Sequence, residues 1–272
     1  MNVTRRPVSP AADARVPVVL LVPALLGLAL LLLPMAALVV RAPWGRLPEI
    51  VGSPEVLSAV RLSLTTATIT TALCVVCGVP LAWLLARTNV PGRPLLRALI
   101  TVPLVLPPVI GGVALLVAFG RRGLVGEWLY EAFGLSLPFT TAAVVMAQSF
   151  VALPFLVVAV EGALRTADRR YEDVAATLGA SEWTTFRRVT LPAVAPGVLA
   201  GAVLCWARAL GEFGATVTFA GSFPGTTRTL PPAAYAAINA GQVEVAIVLS
   251  LLMMAVSVTV LVALRDRWVN TR

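Results

Sequence analysis

The sequence predicts an all-α polytopic membrane protein with about six transmembrane helices, on three observations. Hydrophobic residues make up 58% of the 272 positions. Charged residues make up only 12%, about half the share of a soluble domain, and mean hydropathy is +0.91. Apolar runs of membrane-spanning length then recur along the whole chain. A helix crossing roughly 30 Å of hydrocarbon at about 1.5 Å per residue needs about 20 apolar residues. Six spans therefore use on the order of 120 residues and leave a comparable number for connections.

In chain order, the runs predict helices over residues 16–40, 60–86, 99–119, 140–164, 193–210 and 245–263. The first follows Arg5, Arg6 and Arg15, as a secretory leader would. Its apolar stretch is about 24 residues and no small-residue cleavage site follows, so it reads as a retained anchor. The third contains Pro103, Pro107 and Pro108 followed by Gly111-Gly112, which predicts a bend, either a packing kink or a hinge. Between the third and fourth, residues 120–138 carry Leu124, Val125, Trp128, Leu129, Ala132 and Phe133 at helical spacing, as in a helix lying along the membrane surface. After the fifth, residues 214–243 are mostly uncharged. They read as an external connection with a Pro224-Gly225 turn and a short helix over 229–238.

Arginine placement predicts orientation. All 21 basic residues are Arg, and the net charge is +8. Arg5, Arg6, Arg15, Arg87, Arg93, Arg97, Arg165, Arg169, Arg170, Arg187, Arg188, Arg265, Arg267 and Arg272 fall on one side. Arg41, Arg46, Arg121, Arg122 and Arg228 fall on the other. Cationic loops are retained in the cytoplasm, so both termini are expected there. Trp44, Trp128 and Tyr130 outside, with Trp83 and Trp268 inside, suit interfacial anchors. The basic residues are spread over short loops rather than gathered in a stripe, so nucleic acid is not an expected partner; the lipid bilayer is.

Two absences exclude chemistry. Without His there is no Ser-His or Cys-His dyad and the commonest metal ligand is missing, and without Lys there is no Walker A loop. No catalytic residue, metal or bound cofactor is expected in this chain. If ATP drives it, ATP and Mg sit on another polypeptide. Cys74 and Cys77 form C-x-x-C inside an apolar run and read as small core residues; Cys205 shows no partner in the sequence.

The connection over 165–192 is the most informative stretch. Asp168 is placed to cap a helix from Arg169, with Glu172 and Asp173 near its positive dipole end and Gly179 to close it. Ser181 then caps a second short helix carrying Trp183, Phe186 and Arg187, which runs to Pro192 at the next span. Val174, Ala175 and Leu178 share one face, a small apolar surface rimmed by acids and suited to a groove on a soluble partner. An amphipathic connector resting on the inner leaflet would look the same.

Glu172-Asp-Val-Ala-Ala-Thr-Leu-Gly179, nine residues, then Val189-Thr-Leu-Pro192 resembles the E-A-A-x-x-x-G and I-x-L-P signature of ABC importer permeases. Asp173 stands where that signature has Glu, Val174 where it has the first Ala, and Ala175 matches the second. Pro80-Leu-Ala-Trp-Leu-Leu-Ala-Arg87, Pro103-Leu-Val-Leu-Pro-Pro-Val109, Phe119-Gly-Arg-Arg-Gly123, Thr229-Leu-Pro231 and the run from Arg208 to Gly221 resemble the molybdate branch of these permeases, close to the sulfate branch.

The resemblance implies a type I, molybdate-like permease fold that forms a homodimer, bound to two nucleotide-binding ATPase subunits and served by an extracytoplasmic oxyanion-binding protein. It implies a prokaryotic cytoplasmic (inner) membrane and a cargo of molybdate or tungstate, with sulfate or thiosulfate as the alternative; an ATP-independent anion transporter is a more distant one. It also implies that Tyr171, Glu172, Asp173, Ala175, Ala176, Leu178, Gly179, Ala180, Ser181 and Trp183 form the ATPase-docking segment. Residues 1–56 are then a tail, anchor and outer loop, 57–266 the core containing the coupling segment 165–192, and 267–272 a tail.

Candidate pathway residues come from the spans. Arg208 and Glu212, four apart, are placed to pair; the pair either fixes the end of the fifth span at Gly211 and Gly214 or handles the anion. Arg61 either snorkels or lines the path. Ser63, Thr66 and Thr70 share a helix face and either tie helices together or line a pore. Pro107, Pro108 and Gly111 complete the set as the bend.

Overall fold

The computed structural model describes residues 18–269. Arg5, Arg6, Arg15 and Arg272, used in the orientation count, lie outside the described residues. Contacts divide the chain into two units, 1–42 and 43–272. In the first, α1 (Val18–Val40) has 23 residues, no charge and two internal prolines, Pro23 and Pro34. At about 1.5 Å per residue it is long enough to cross a bilayer.

The second unit begins with α2 (Leu47–Val51), α3 (Pro54–Arg87), α4 (Arg93–Val105), α5 (Pro108–Phe119) and α6 (Gly126–Phe133). It continues with α7 (Thr141–Thr166), α8 (Arg170–Thr177), α9 (Glu182–Thr185), a π-helical turn (Phe186–Thr190) and α10 (Leu191–Leu210). It closes with α11 (Gly214–Ala220), α12 (Leu230–Asn239) and α13 (Val243–Val269). No strand occurs among the described residues. Five helices are long and apolar enough to span, and the pair α4 and α5 makes a sixth if counted together.

The helix α7 is the hub. Its Leu156, Val157, Val160 and Leu164 pack with Ala67, Cys74, Ala82 and Leu85 of α3 and with Val194, Cys205 and Ala209 of α10. Lipid tails are as apolar as these side chains, so close packing rather than exclusion of water holds such helices together. Small residues allow it. Gly197 and Gly201 of α10 meet Ala163 and Ala159 of α7, and a Cβ at Gly201 would sit 3.0 Å from that of Ala159. The other end of α7 packs through Val144, Ala147 and Val151 against Leu115 of α5 and Ala215 and Phe219 of α11. A third cluster joins Ile50 of α2 and Val56 and Ala59 of α3 to Leu230 of α12 and Val248 and Leu249 of α13.

The bend expected in the third span is present and sharp: α4 and α5 are bent by 117° at Leu106–Pro107. A residue before proline is pushed out of helical backbone, and Pro107-Pro108 imposes that twice in succession. Both Leu106 and Pro107 take extended ψ values, 129° and 131°, while Pro103 is carried inside α4. The fifth span begins earlier than residue 193, because α9, the π turn and α10 form one continuous 29-residue stretch, Glu182–Leu210. Residues 214–220, expected as part of a connection, instead form α11, whose Ala215, Thr216, Phe219 and Ala220 are fully buried. The surface helix over 120–138 is present as α6 with Trp128 and Phe133 exposed, and α12 coincides with the helix expected over 229–238.

At Gly112, a Cβ would lie 2.6 Å from the Thr218 Cβ and 3.0 Å from the Ala215 backbone, so α5 and α11 touch where no side chain fits. Gly112→Val is expected to cost about 1–3 kcal/mol by overpacking. At Gly162 nothing lies within 4 Å, and Gly162→Ala is expected to gain about 0.5–1 kcal/mol. Thermal unfolding of the two purified variants in detergent, lowered for the first and raised for the second, checks both.

Candidate functional site

The elbow between α7 and α10 is built by local capping. Asp168 Oδ1 accepts from the Arg170 N–H at 3.0 Å and starts α8, with Glu172 and Asp173 in its first turn. Gly179 adopts φ +78° beyond its last turn. The Gly179 and Ala180 N–H groups donate to the carbonyls of Ala176 and Ala175, both at 3.0 Å, which closes the helix end. Ser181 Oγ then accepts from the Thr184 N–H at 3.3 Å and starts α9. Helix continues past Pro192 because the π turn widens the backbone just before it. Pro192 has no N–H for the carbonyl four residues back, and its ring would crowd that carbonyl in a regular turn.

Four large side chains stand exposed on this elbow: Tyr171, Val174, Leu178 and Trp183 are 68%, 56%, 81% and 67% exposed. Asp173, Ala176, Gly179 and Ser181 are exposed beside them, while Ala175 and Ala180 are half-buried. Glu172 departs from the expected acidic rim. Its Oε1 lies 3.0 Å from an Arg87 guanidinium nitrogen and accepts from Thr190 Oγ1 at 3.0 Å. A cleft of about 400 Å³, lined by Trp83, Arg87, Glu172, Asp173, Phe186 and Thr190 among others, separates α8 from the π turn. Trp183 stacks on Phe186, and Trp83 meets the same ring edge-on.

Inside the bundle, Glu212 sits in the break between α10 and α11 and is 1% exposed. One carboxylate oxygen lies 2.6 Å from Arg208, and the other accepts from the Ala215 N–H at 2.9 Å. The cation therefore occupies the last turn of α10 and the anion the start of α11, each opposite in sign to the helix end it faces. Both oxygens are engaged, which matches the role of fixing the end of the span. Gly214 abuts the start of α5, where a Cβ would lie 2.9 Å from the Pro108 Cβ, so the two helix breaks are side by side. Gly111 faces Phe150 of α7.

The hydroxyl face of α3 points inward rather than into a pore of the protomer. Ser63, Thr66 and Thr70 are fully buried. Ser63 Oγ accepts from the Leu230 N–H at 2.7 Å, Thr66 donates to the Ser63 carbonyl, and Thr70 donates to Gln148 Oε1 at 3.1 Å. Arg61 is exposed, with no ion pair among the described residues. Cys205 and Cys74 are both buried in the cluster that joins α10 to α3, whereas Cys77 is exposed.

Two groups had not been singled out as site residues. Arg87 had counted toward orientation and as the end of the Pro80–Arg87 run, and Glu161, 6% exposed, holds both Arg97 of α4 and Arg165 of its own helix. Only the Glu161–Arg165 spacing of four is visible in the sequence.

Removing Glu212 strands Arg208 and the start of α11 together. Glu212→Ala is expected to cost on the order of 3 kcal/mol, and Glu212→Gln less because it keeps an acceptor for Ala215. Thermal unfolding in detergent reads the order of the two variants.

Residues 78–271 match the family of binding-protein-dependent transport system inner membrane components. The molybdenum transport system permease protein ModB of Mycobacterium tuberculosis is 51% identical over 247 residues, 90% of this chain and 92% of that protein. ModB of Haemophilus influenzae is 42% identical over 216 residues, 79% of this chain and 94% of its own. The sulfate transport system permease protein CysT of Escherichia coli is 37% identical over 196 residues, 71% and 70% respectively. Among solved structures, a bacterial ABC transporter importing the acidic polysaccharide alginate aligns at TM-score 0.74 over 93% of this chain and 95% of that one, at 16% identity. The MetNI methionine ABC transporter, in inward facing conformations, aligns at 0.59 over 78% and 95%, at 20% identity. These two likenesses show the fold of ABC transporter membrane subunits. With half its residues shared across nine-tenths of its length and a family match over most of it, this chain belongs to the inner membrane components of binding-protein-dependent transport systems.

Proposed function

We propose that this chain forms the translocation path of an ATP-driven importer of molybdate or tungstate. It works as a pair of identical copies bound to two ATPase subunits and is loaded by an extracytoplasmic oxyanion-binding protein. The observation that carries this reading is the exposed apolar face of the elbow, Tyr171, Val174, Leu178 and Trp183, at the end of an otherwise membrane-suited bundle. Such a knob fits a groove on a soluble subunit. The arginine count supports a cytoplasmic elbow and cytoplasmic termini. The cargo rests on the relatives named for molybdenum transport.

With neither Lys nor His in the sequence, ATP and Mg belong on the partner subunits, and no side chain here carries out covalent chemistry. Closure of the two ATPase subunits draws the elbows together, and hydrolysis releases them. The adjacent breaks at Pro107-Pro108 and Gly211–Phe213 are where the helices re-aim, with Gly111, Gly214 and the Arg208–Glu212 pair setting their geometry. Ser63, Thr66 and Thr70 tie the bundle internally.

A sulfate importer is the second reading, favoured by the CysT relative. Reconstituted vesicles holding this chain, its ATPase subunit and the binding protein are expected to accumulate molybdate with ATP, at least tenfold in preference to sulfate. The reverse preference selects the second reading, and uptake without any ATPase subunit excludes both. The double variant Val174→Glu/Leu178→Glu is expected to lose ATPase subunit on copurification while its thermal unfolding stays near that of the unaltered chain.

A further inference from the structure

The docking knob and Glu172 lie on different faces of α8. At about 100° per residue, Glu172 is roughly 130° around the helix from the mean direction of Tyr171, Val174 and Leu178. Its carboxylate reaches back into the protein, to Arg87 in the last turn of α3 and to Thr190 at the end of the π turn. Arg87 is 6% exposed at its side chain and Thr190 is 3% exposed, so both partners are fixed by packing. Two further contacts cross the same joint. Arg87 donates to the Ala167 carbonyl at 3.5 Å, and Arg169 donates to the Ala86 carbonyl at 3.3 Å. One acidic oxygen thus joins three segments: the end of α3, the start of α8 and the turn that leads into α10.

Resting on the importer reading above, we propose that Glu172 is a positioning residue that transmits elbow movement to α3 and α10 together. It is not a contact with the ATPase subunit. A pull on the apolar face of α8 reaches the membrane through this carboxylate, because among the described residues it makes the one ion pair from α8 to the end of α3. Farther along, α3 and α10 stay joined by the packed cluster that holds Cys74 and Cys205 and by Trp206 Nε1 donating to Thr68 Oγ1 at 3.3 Å. The two helices are coupled at both levels and respond as one body. By contrast α4, pinned to Glu161 of α7 through Arg97, lies outside this linkage.

The test uses the complete transporter in vesicles and reads three quantities: ATPase subunit retained on copurification, ATP hydrolysed, and molybdate imported per ATP. Glu172→Gln and Arg87→Met are each expected to keep the ATPase subunit and to lower import per ATP at least tenfold. Thr190→Val, which leaves both charges in place, is expected to lower it about threefold. The double variant Arg87→Met/Glu172→Gln is expected to do no worse than either single change, as for two residues that act as a unit. Unaltered import per ATP in Glu172→Gln and Thr190→Val overturns the proposal, as does loss of the ATPase subunit from Glu172→Gln or multiplication of the two single effects. If Glu172→Gln does not fold, Thr190→Val and Arg87→Met decide on the same readings. A wild-type assembly that imports nothing with ATP defeats the importer reading itself, which separates that failure from failure of the linkage.

Discussion

Hydrocarbon offers no hydrogen bonds to a peptide group, so every interruption of a helix in this bundle must be supplied by a neighbour. That constraint accounts for where the chain breaks and for what surrounds each break. Between α10 and α11 the supply is a carboxylate, Glu212, which serves the N–H of Ala215 and is itself neutralised by Arg208. Between α4 and α5 it is chemistry by omission. Pro107 and Pro108 have no N–H to satisfy, so the bend leaves fewer orphan donors than other residues would. At the start of α12 the Ser63 hydroxyl of α3 takes the Leu230 N–H.

Because apolar side chains gain little by leaving lipid, helix association falls to shape. The contacts are made where bulk is absent: Gly197 and Gly201 against Ala163 and Ala159, Gly112 against Ala215 and Thr218, Gly214 against Pro108 and Val109. These sites place the two half-helices α5 and α11 against one another at the level where both begin. Substrate passage needs a bundle with two arrangements, and adjoining breaks allow re-aiming without exposing backbone to lipid.

Much of this was legible in the sequence because it depends on local rules. Asp168, Gly179 and Ser181 carry the elbow through capping alone, and the spans follow from length and hydropathy. The remainder depends on direction in space. Periodicity put Ser63, Thr66 and Thr70 on one face of α3 but could not say whether that face met a neighbour or water. The seven residues of α11 are too few to register as a span, so their burial against α5 and α7 was invisible. Glu172 stood beside Asp173 in an acidic pair, and nothing local distinguished the one that turns back to Arg87 from the one that stays exposed.

The π turn before α10 has a consequence for lineage as well as for shape. A five-residue hydrogen-bonded loop holds one amino acid more than the ordinary helical repeat, so a single deletion within Phe186–Thr190 would restore that repeat and bring the Pro192 ring against the carbonyl one turn before it. A second cost would appear upstream, as a swing of about 100° in the azimuth of α9 that re-aims Trp183 and Ser181 relative to the membrane rods. The supernumerary residue is therefore a phase setting, and descendants that lost it would need a different mate.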